Sequence, residues 1–303
     1  MRLPALIYSF LIYSFLFLLS GEPAPPTLTL AFVGDVMLGR GVAQALNGDW
    51  EAAFVDVRSW LVEADLTFAN LESPLTTAPQ SAAGYDLRAS PESVAALCAA
   101  GFDVVSLANN HALDAGQAGL RETVDTLHAA GISALPGWQA GRLVDWSPAY
   151  QFLAFDDSVA PLDLEAATEA VAAAAERPGS VVISIHWGGE YQAAPGPRQQ
   201  AVARALAEAG AGIIVGHGPH VLQRVEWEGE TLVAYSLGNF LFDQLYPVDC
   251  RWGVILRVTL RGNRIVAVRA APTVVERGRV RLADSQAAAA ILARLALEST
   301  DVQ

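Results

Sequence analysis

A chain of 303 residues that is 52% hydrophobic and 17% charged carries enough apolar side chain for one large or two ordinary cores. Its formal charge is −13, all 19 basic residues are arginine and no basic run occurs, which argues against nucleic-acid binding and against docking on anionic lipid. The two cysteines, Cys98 and Cys250, lie far apart and form no CxxC, which excludes a structural zinc site. Cys98 falls in a helical apolar pattern and reads as a small core residue, and whether the pair is bridged is left open.

The first apolar run, residues 3–19, follows a lone positive charge at Arg2 and is shorter than the ~20 residues that usually span a bilayer. It predicts a secretory signal peptide. An uncleaved N-terminal membrane anchor is the alternative, because Leu18-Leu19-Ser20-Gly21 is a poor cleavage site. Residues 22–26 form a stiff Pro-rich spacer.

From residue 27 strands and helices alternate. Short apolar runs predict strands over 28–33, 65–69, 104–108 and 132–135. Between them a helix is predicted over 90–101, opened by Ser90-Pro91 and ended by Gly101, and another over 117–130, stopped by Gly131. Residues 137–157 have weak periodicity, and only a strand near 151–155 is predicted there. A helix over 164–176, a strand over 181–185, a helix over 197–209, and strands over 211–215 and 231–235 follow. A hairpin of 254–260 with 264–271 turns about Arg261-Gly262-Asn263, and a helix over 286–298 closes the chain. No repeat or linker divides residues 27–303, so one α/β domain with mixed sheets is expected.

The strands end in residues that carry chemistry. Asp35 follows the first strand, Asn70 and Glu72 the second, and Asn109, Asn110 and His111 the third. His186 follows a later strand, and His217 and His220 the one after it. Four of the five histidines fall in this set, and the fifth, His128, reads as a surface residue of an amphipathic helix. Each residue alone could be a cap, a turn or a packed ring. Together, at the carboxyl ends of successive strands, they point to one site. Imidazole and carboxylate groups suit zinc, manganese or iron, and an asparagine carbonyl adds an oxygen ligand. Such a set fits one or two divalent ions, a pair of them ~3.5–4 Å apart clamping a phosphoryl oxygen. Ser184 and Ser236 lack a G-x-S-x-G elbow, and Gly216-His217-Gly218 lacks the spacing of a dinucleotide or phosphate loop.

The pieces Gly34-Asp35-Val36-Met37 with Arg40, Asn70-Leu71-Glu72, Ser106 to His111 with Asp114, His186-Trp187-Gly188-Gly189-Glu190, Gly216-His217-Gly218-Pro219-His220 and Ser236-Leu237-Gly238-Asn239-Phe240 occur in order across residues 34–243. In them the chain resembles the CapA family, named for capsule and poly-γ-glutamate biosynthesis, within the calcineurin-like metallophosphoesterase fold. The resemblance implies a four-layer α/β/β/α sandwich with metals at the strand ends. It implies Asp35 and His220 as ligands of one metal, Asn110 and His186 of the other, Glu72 as a bridging carboxylate and His217 as a further ligand. His111 with Asp114 is implied as the catalytic imidazole pair, and Arg40, Asn70, Asn109, Glu190 and Asn239 as substrate-binding. Two positions depart from the phosphoesterase pattern: Met37 stands where Asp-x-His has its histidine, and Gly218 where the final His-x-His has its first. The expected function is a metal-dependent hydrolase of the cell envelope acting on a phosphoester or an anionic polymer, with capsule-synthesis membrane proteins as partners. A non-catalytic accessory module and an amide hydrolase of poly-γ-glutamate are the alternatives.

Overall fold

A computed structural model describes residues 27–81, 84–137, 144–147 and 150–297; the expected targeting segment and spacer lie outside them, as do Trp138 and Pro148. Two sheets form the body. The first holds eight strands. Its path is β14 (Arg279–Leu282), β13 (Arg264–Glu276), β12 (Trp252–Arg261), β1 (Thr27–Val36), β2 (Leu66–Leu71), β3 (Val104–Ser106) and β4 (Ser133–Leu135), with β11 (Asn239–Leu241) also paired to β1. The second runs β5 (Val144–Ser147), β6 (Tyr150–Asp156), β7 (Ser180–His186), β8 (Ile213–His217), β10 (Thr231–Ala234) and β9 (Val225–Glu228). Both sheets are mixed, as expected: β1 runs parallel to β2 and antiparallel to β12, and β10 runs parallel to β8 and antiparallel to β9.

Period-2 alternation divides the strand side chains into layers. In β1, Leu30 and Phe32 enter the core between the sheets, whereas Ala31 and Val33 face the other way. In β7, Val182 faces the inter-sheet core, and Val181, Ile183 and Ile185 face away from it. Phe68 of β2 and Phe152 of β6 stack across the seam, with ring centroids 5.9 Å apart and planes 8° from parallel. The outer face of the first sheet packs against α1 (Arg40–Leu46), α2 (Arg58–Val62), α3 (Val94–Ala100) and α4 (Gly116–Ala129). The outer face of the second packs against α5 (Leu164–Ala175) and α6 (Pro197–Glu208). The result is the expected α/β/β/α order. α7 (Ser285–Leu295) adds Ile291 and Leu295 to the inter-sheet core.

The local signals act as predicted at several ends. Gly101 closes α3 in the left-handed region at φ 81°, and Asp163 caps α5 by accepting from the amide of Ala166. Two readings need correction. Cys98 is exposed, because α3 turns its Ala96, Leu97 and Ala100 face inward, and Cys250 is buried; both are free thiols. β5, β9, β11 and β14 are strands of three or four residues that the apolar pattern did not announce. Among the described residues no helix is long and apolar enough to cross a membrane.

Candidate metal centre

Three local devices bring the site together. The first is alternation. On β2, Leu66 and Phe68 face the seam between the sheets, so Asn70 and Glu72 continue the same face beyond the apolar core. On β7 and β8, Val182 and Val215 place His186 and His217 on that face from the opposite sheet. The second is register: Asp35 pairs with Asn70 on one side and Asn239 on the other, and His186 pairs with His217. The third is a bulge. Phe32 pairs with Phe68 and Asp35 with Asn70, so β1 spends three residues where β2 spends two. Strict alternation would turn Asp35 away from the seam; the extra residue turns it inward. Gly34 makes this possible, because a Cβ there would sit 1.9 Å from the Gly238 carbonyl oxygen.

Asp35, Glu72 and His220 form the tightest group, each offering a ligand atom within 4.8 Å of the others, and all three are buried. Asp35 Oδ2 lies 3.2 Å from His220 Nδ1, and Oδ1 lies 3.3 Å from His217 Nδ1. The amide of Asn70 donates to Asp35 Oδ1 at 2.9 Å and lies 3.4 Å from His186 Nδ1. Asn239 fixes the ring of His220. Its amide nitrogen donates to Gln244 Oε1 at 3.1 Å and to the Cys250 carbonyl at 3.0 Å, so its oxygen faces His220 Nδ1 at 3.0 Å. Nδ1 therefore carries the proton, and Nε2 is turned toward Glu72 Oε1, 3.7 Å away. His220 also adopts φ 58°, a backbone state that a non-glycine residue holds only where its surroundings enforce it.

Charge in this group is strongly perturbed. Burial alone would raise the Asp35 carboxyl, but the imidazoles of His217 and His220 beside it outweigh burial and hold the group far below the usual carboxylate range. Burial pushes Glu72 well above that range. It pushes the His186 ring down to about 3, leaving it neutral. Burial opposes charge on His220 too, yet the carboxylates of Glu72 and Asp35 lift it to about 10. Glu72 is fully buried and neither of its carboxylate oxygens has a hydrogen-bond partner; the same is true of both His217 ring nitrogens. Orphaned buried acceptors are costly and rare in native cores. Carboxylate oxygens and an imidazole nitrogen aimed at one another, without donors between them, suit a divalent cation.

The other sequence-expected residues divide. His111 stands beside the cluster with Nε2 3.9 Å from Glu72 Oε1, and Asp114 holds its Nδ1 at 3.0 Å. Asn110, expected as a ligand, is exposed. Asn109, one residue earlier, is the buried amide: it donates to Asn70 Oδ1 and the Leu71 carbonyl, each at 3.0 Å, and accepts from the amide of His111 at 3.1 Å. Asn70, Asn109 and Asn239, expected to face substrate, are therefore occupied by internal hydrogen bonds. Arg40 lies at the rim, paired with Asp243 at 2.8 Å and set over the Tyr85 ring. Glu190 is exposed, near enough to Glu72 to oppose its ionisation. Met37 is buried, and its sulfur accepts from the amide of Gly39 at 3.0 Å. Gly218 explains the second departure: at φ 106°, a Cβ there would lie 2.8 Å from the Trp187 carbonyl and 3.0 Å from His186 Nε2. Sequence reasoning missed Gln244 and Cys250 as supports of Asn239, since neither sits at a strand end.

Comparison with known proteins agrees with this architecture. Residues 29–135 and 136–244 match the family described as bacterial capsule synthesis protein PGA_cap. The capsule biosynthesis protein CapA of Bacillus anthracis is 32% identical over 283 residues, covering 83% of this chain and 68% of that protein. The PGA biosynthesis protein CapA of Bacillus subtilis is 33% identical over 242 residues, covering 72% of this chain and 64% of that one. A probable polyglutamine synthesis accessory protein of Mycobacterium tuberculosis is 27% identical, covering 72% of this chain and 75% of its own. A crystal structure of a phosphatase from Mycoplasma pneumoniae superposes with a TM-score of 0.53 at 12% identity, covering 88% of this chain and 97% of that one, which shows a shared fold. The chain belongs to the bacterial capsule synthesis protein family PGA_cap, on a phosphatase-like α/β/β/α fold.

Proposed function

We propose that this chain is a metal-dependent hydrolase of the cell envelope, acting on a phosphoester or related bond in a capsule polymer or its carrier. The observation that carries the reading is Glu72: a fully buried side chain without a hydrogen-bond partner, facing Nε2 of an imidazole whose other nitrogen is held by Asn239. Asp35, Glu72 and His220 would hold a first divalent ion, and His186 and His217, buried beside Asp35, would contribute to a second. Bound there, manganese, zinc or iron supplies Lewis acidity at a phosphoryl oxygen and lowers the pKa of a water. The chain supplies the rest. Asn239 sets the tautomer of His220, Asn70 and Asn109 brace Asp35 and the His111 loop, and Asp114 orients His111 so that Nε2 can give a proton to a leaving oxygen. Asp35, Glu72, His186, His217 and His220 are all buried, whereas Arg40 and Glu190 are exposed and would meet a substrate from solvent.

A second reading, an accessory module that holds polymer without cleaving it, is favoured by one observation. Met37 turns its thioether to the Gly39 amide where the phosphoesterase pattern has a ligand. The two readings separate on the purified chain loaded with manganese or zinc. Bound metal together with turnover of an aryl phosphodiester, lost in Asp35→Asn and His186→Ala proteins that remain folded, supports the hydrolase. A folded protein with neither metal nor turnover leaves the accessory reading.

A further inference from the structure

The loop that braces the metal centre has a second side. Gln244 accepts from Asn239, and the next residues, Leu245, Tyr246 and Val248, line a separate groove of about 720 Å³ with Arg251, Arg277, Arg279 and Arg281. Four guanidiniums and one carboxylate, Glu276, face this groove in a chain of net charge −13. The lining is net positive, with Asp49 and Asp56 standing close to Arg279 and Arg281. Leu245 and Tyr246 are left 51% and 81% exposed beside it.

These arginines are loosely held. Arg251 donates to the Val275 carbonyl at 3.3 Å and reaches Glu276 at 3.7 Å, Arg279 reaches Asp49 at 3.9 Å, and Arg281 reaches Asp56 at 3.4 Å and Glu276 at 3.9 Å. Several arginines elsewhere are held by shorter pairs: Arg40 to Asp243 at 2.8 Å, Arg88 to Asp86 at 2.7 Å and Arg294 to Asp249 at 2.7 Å. Long, exposed pairs are worth little and exchange readily for a better anion. Arg279 and Arg281 lie two residues apart on β14, so their side chains leave the same face ~7 Å apart. A chain bearing a carboxylate on each repeat unit matches that spacing, and the apolar side chains offer a surface to its backbone methylenes.

We propose that this groove binds an extended polycarboxylate chain beside the metal centre. Apart from Ala45, it is built from residues 245–281, beyond the 29–244 segment that defines the family match. The choice of occupant rests on the capsule-polymer reading above; the charge pattern does not.

The test uses the full chain and fluorescein-labelled poly-γ-glutamate, with inorganic polyphosphate of equal charge as competitor. Binding is expected at low salt and weakens as salt rises. The dissociation constant should rise about tenfold or more in the Arg279→Glu, Arg281→Glu double variant and severalfold in the milder Arg279→Gln, Arg281→Gln pair. Thermal unfolding, metal content and turnover of a small aryl phosphodiester should stay at parent values in both. Unchanged polymer affinity in folded variants, or no binding by the parent at low salt, overturns the proposal. Much tighter binding of polyphosphate overturns the carboxylate assignment. Arginine-dependent polymer binding by a protein without metal or turnover upholds the groove while the hydrolase reading fails.

Discussion

Replacing Glu72 by glutamine tests the metal centre most directly, because the change keeps side-chain shape and removes only the charge. The perturbed group is fully buried, 3.7 Å from His220 Nε2, and has no donor on either oxygen. If the parent binds a divalent ion and is given a hundredfold excess over its dissociation constant, the folded state gains about 2.7 kcal/mol. At about 2–4 °C per kcal/mol for a domain of this size, the melting temperature should rise by about 5–10 °C on adding manganese or zinc. Loss of the carboxylate should weaken binding about a hundredfold, which leaves about 0.4 kcal/mol at the same metal concentration and a shift of about 1–2 °C. Differential scanning fluorimetry with and without chelator measures both. The Glu72→Gln protein should melt near the parent in chelator, since the amide is easier to bury than the carboxylate. The reasoning is refuted if the variant and the parent show equal metal shifts, or if the parent shows none with any of manganese, zinc or iron.

Gly34→Ala should destabilise the protein by about 3 kcal/mol or more, because its Cβ would meet backbone oxygen at 1.9 Å; urea unfolding decides, and a change below about 0.5 kcal/mol would remove the bulge argument. Gly218→Ala should fold with a loss of about 1–3 kcal/mol and displace His186, so that bound metal measured by atomic absorption falls with it. Asn239→Ala should lower metal affinity about 10–100-fold by freeing the His220 ring, with little change in the KM of any turnover that remains; an unchanged affinity would deny Asn239 its positioning role. His111→Ala should keep metal content while lowering kcat on substrates with poor leaving groups more than on activated aryl esters.

Much of the architecture follows from simple periodicity. β2, β7 and β8 are legible as short apolar runs, and a strand's period of two carried past the last apolar side chain puts Asn70, Glu72, His186 and His217 on one seam. That rule stops where a strand stops. After β3 nothing in the pattern separates Asn109 from Asn110, and the buried amide is Asn109 because it alone reaches Asn70 and Leu71. Asp35 faces the seam through a bulge whose only local trace is Gly34, and the partner that requires the glycine is some two hundred residues away. α1 has no side-chain cap at Gly39 and only seven residues, too few for periodicity to speak. In the groove, Arg277, Arg279 and Arg281 are close in sequence, on the β13–β14 turn and β14, and tertiary assembly is what brings Arg251 and the 245–248 loop to them.

The pairing of β1 with β12 joins Thr27 to Arg261. On a ribosome, the strand bearing Asp35 therefore emerges long before the segment that will cover its open edge. Until then it presents unsatisfied backbone groups to any other nascent chain. A truncation that stops short of residue 252 should leave inclusion bodies rather than a smaller folded protein, because that edge stays open until most of the chain has been made.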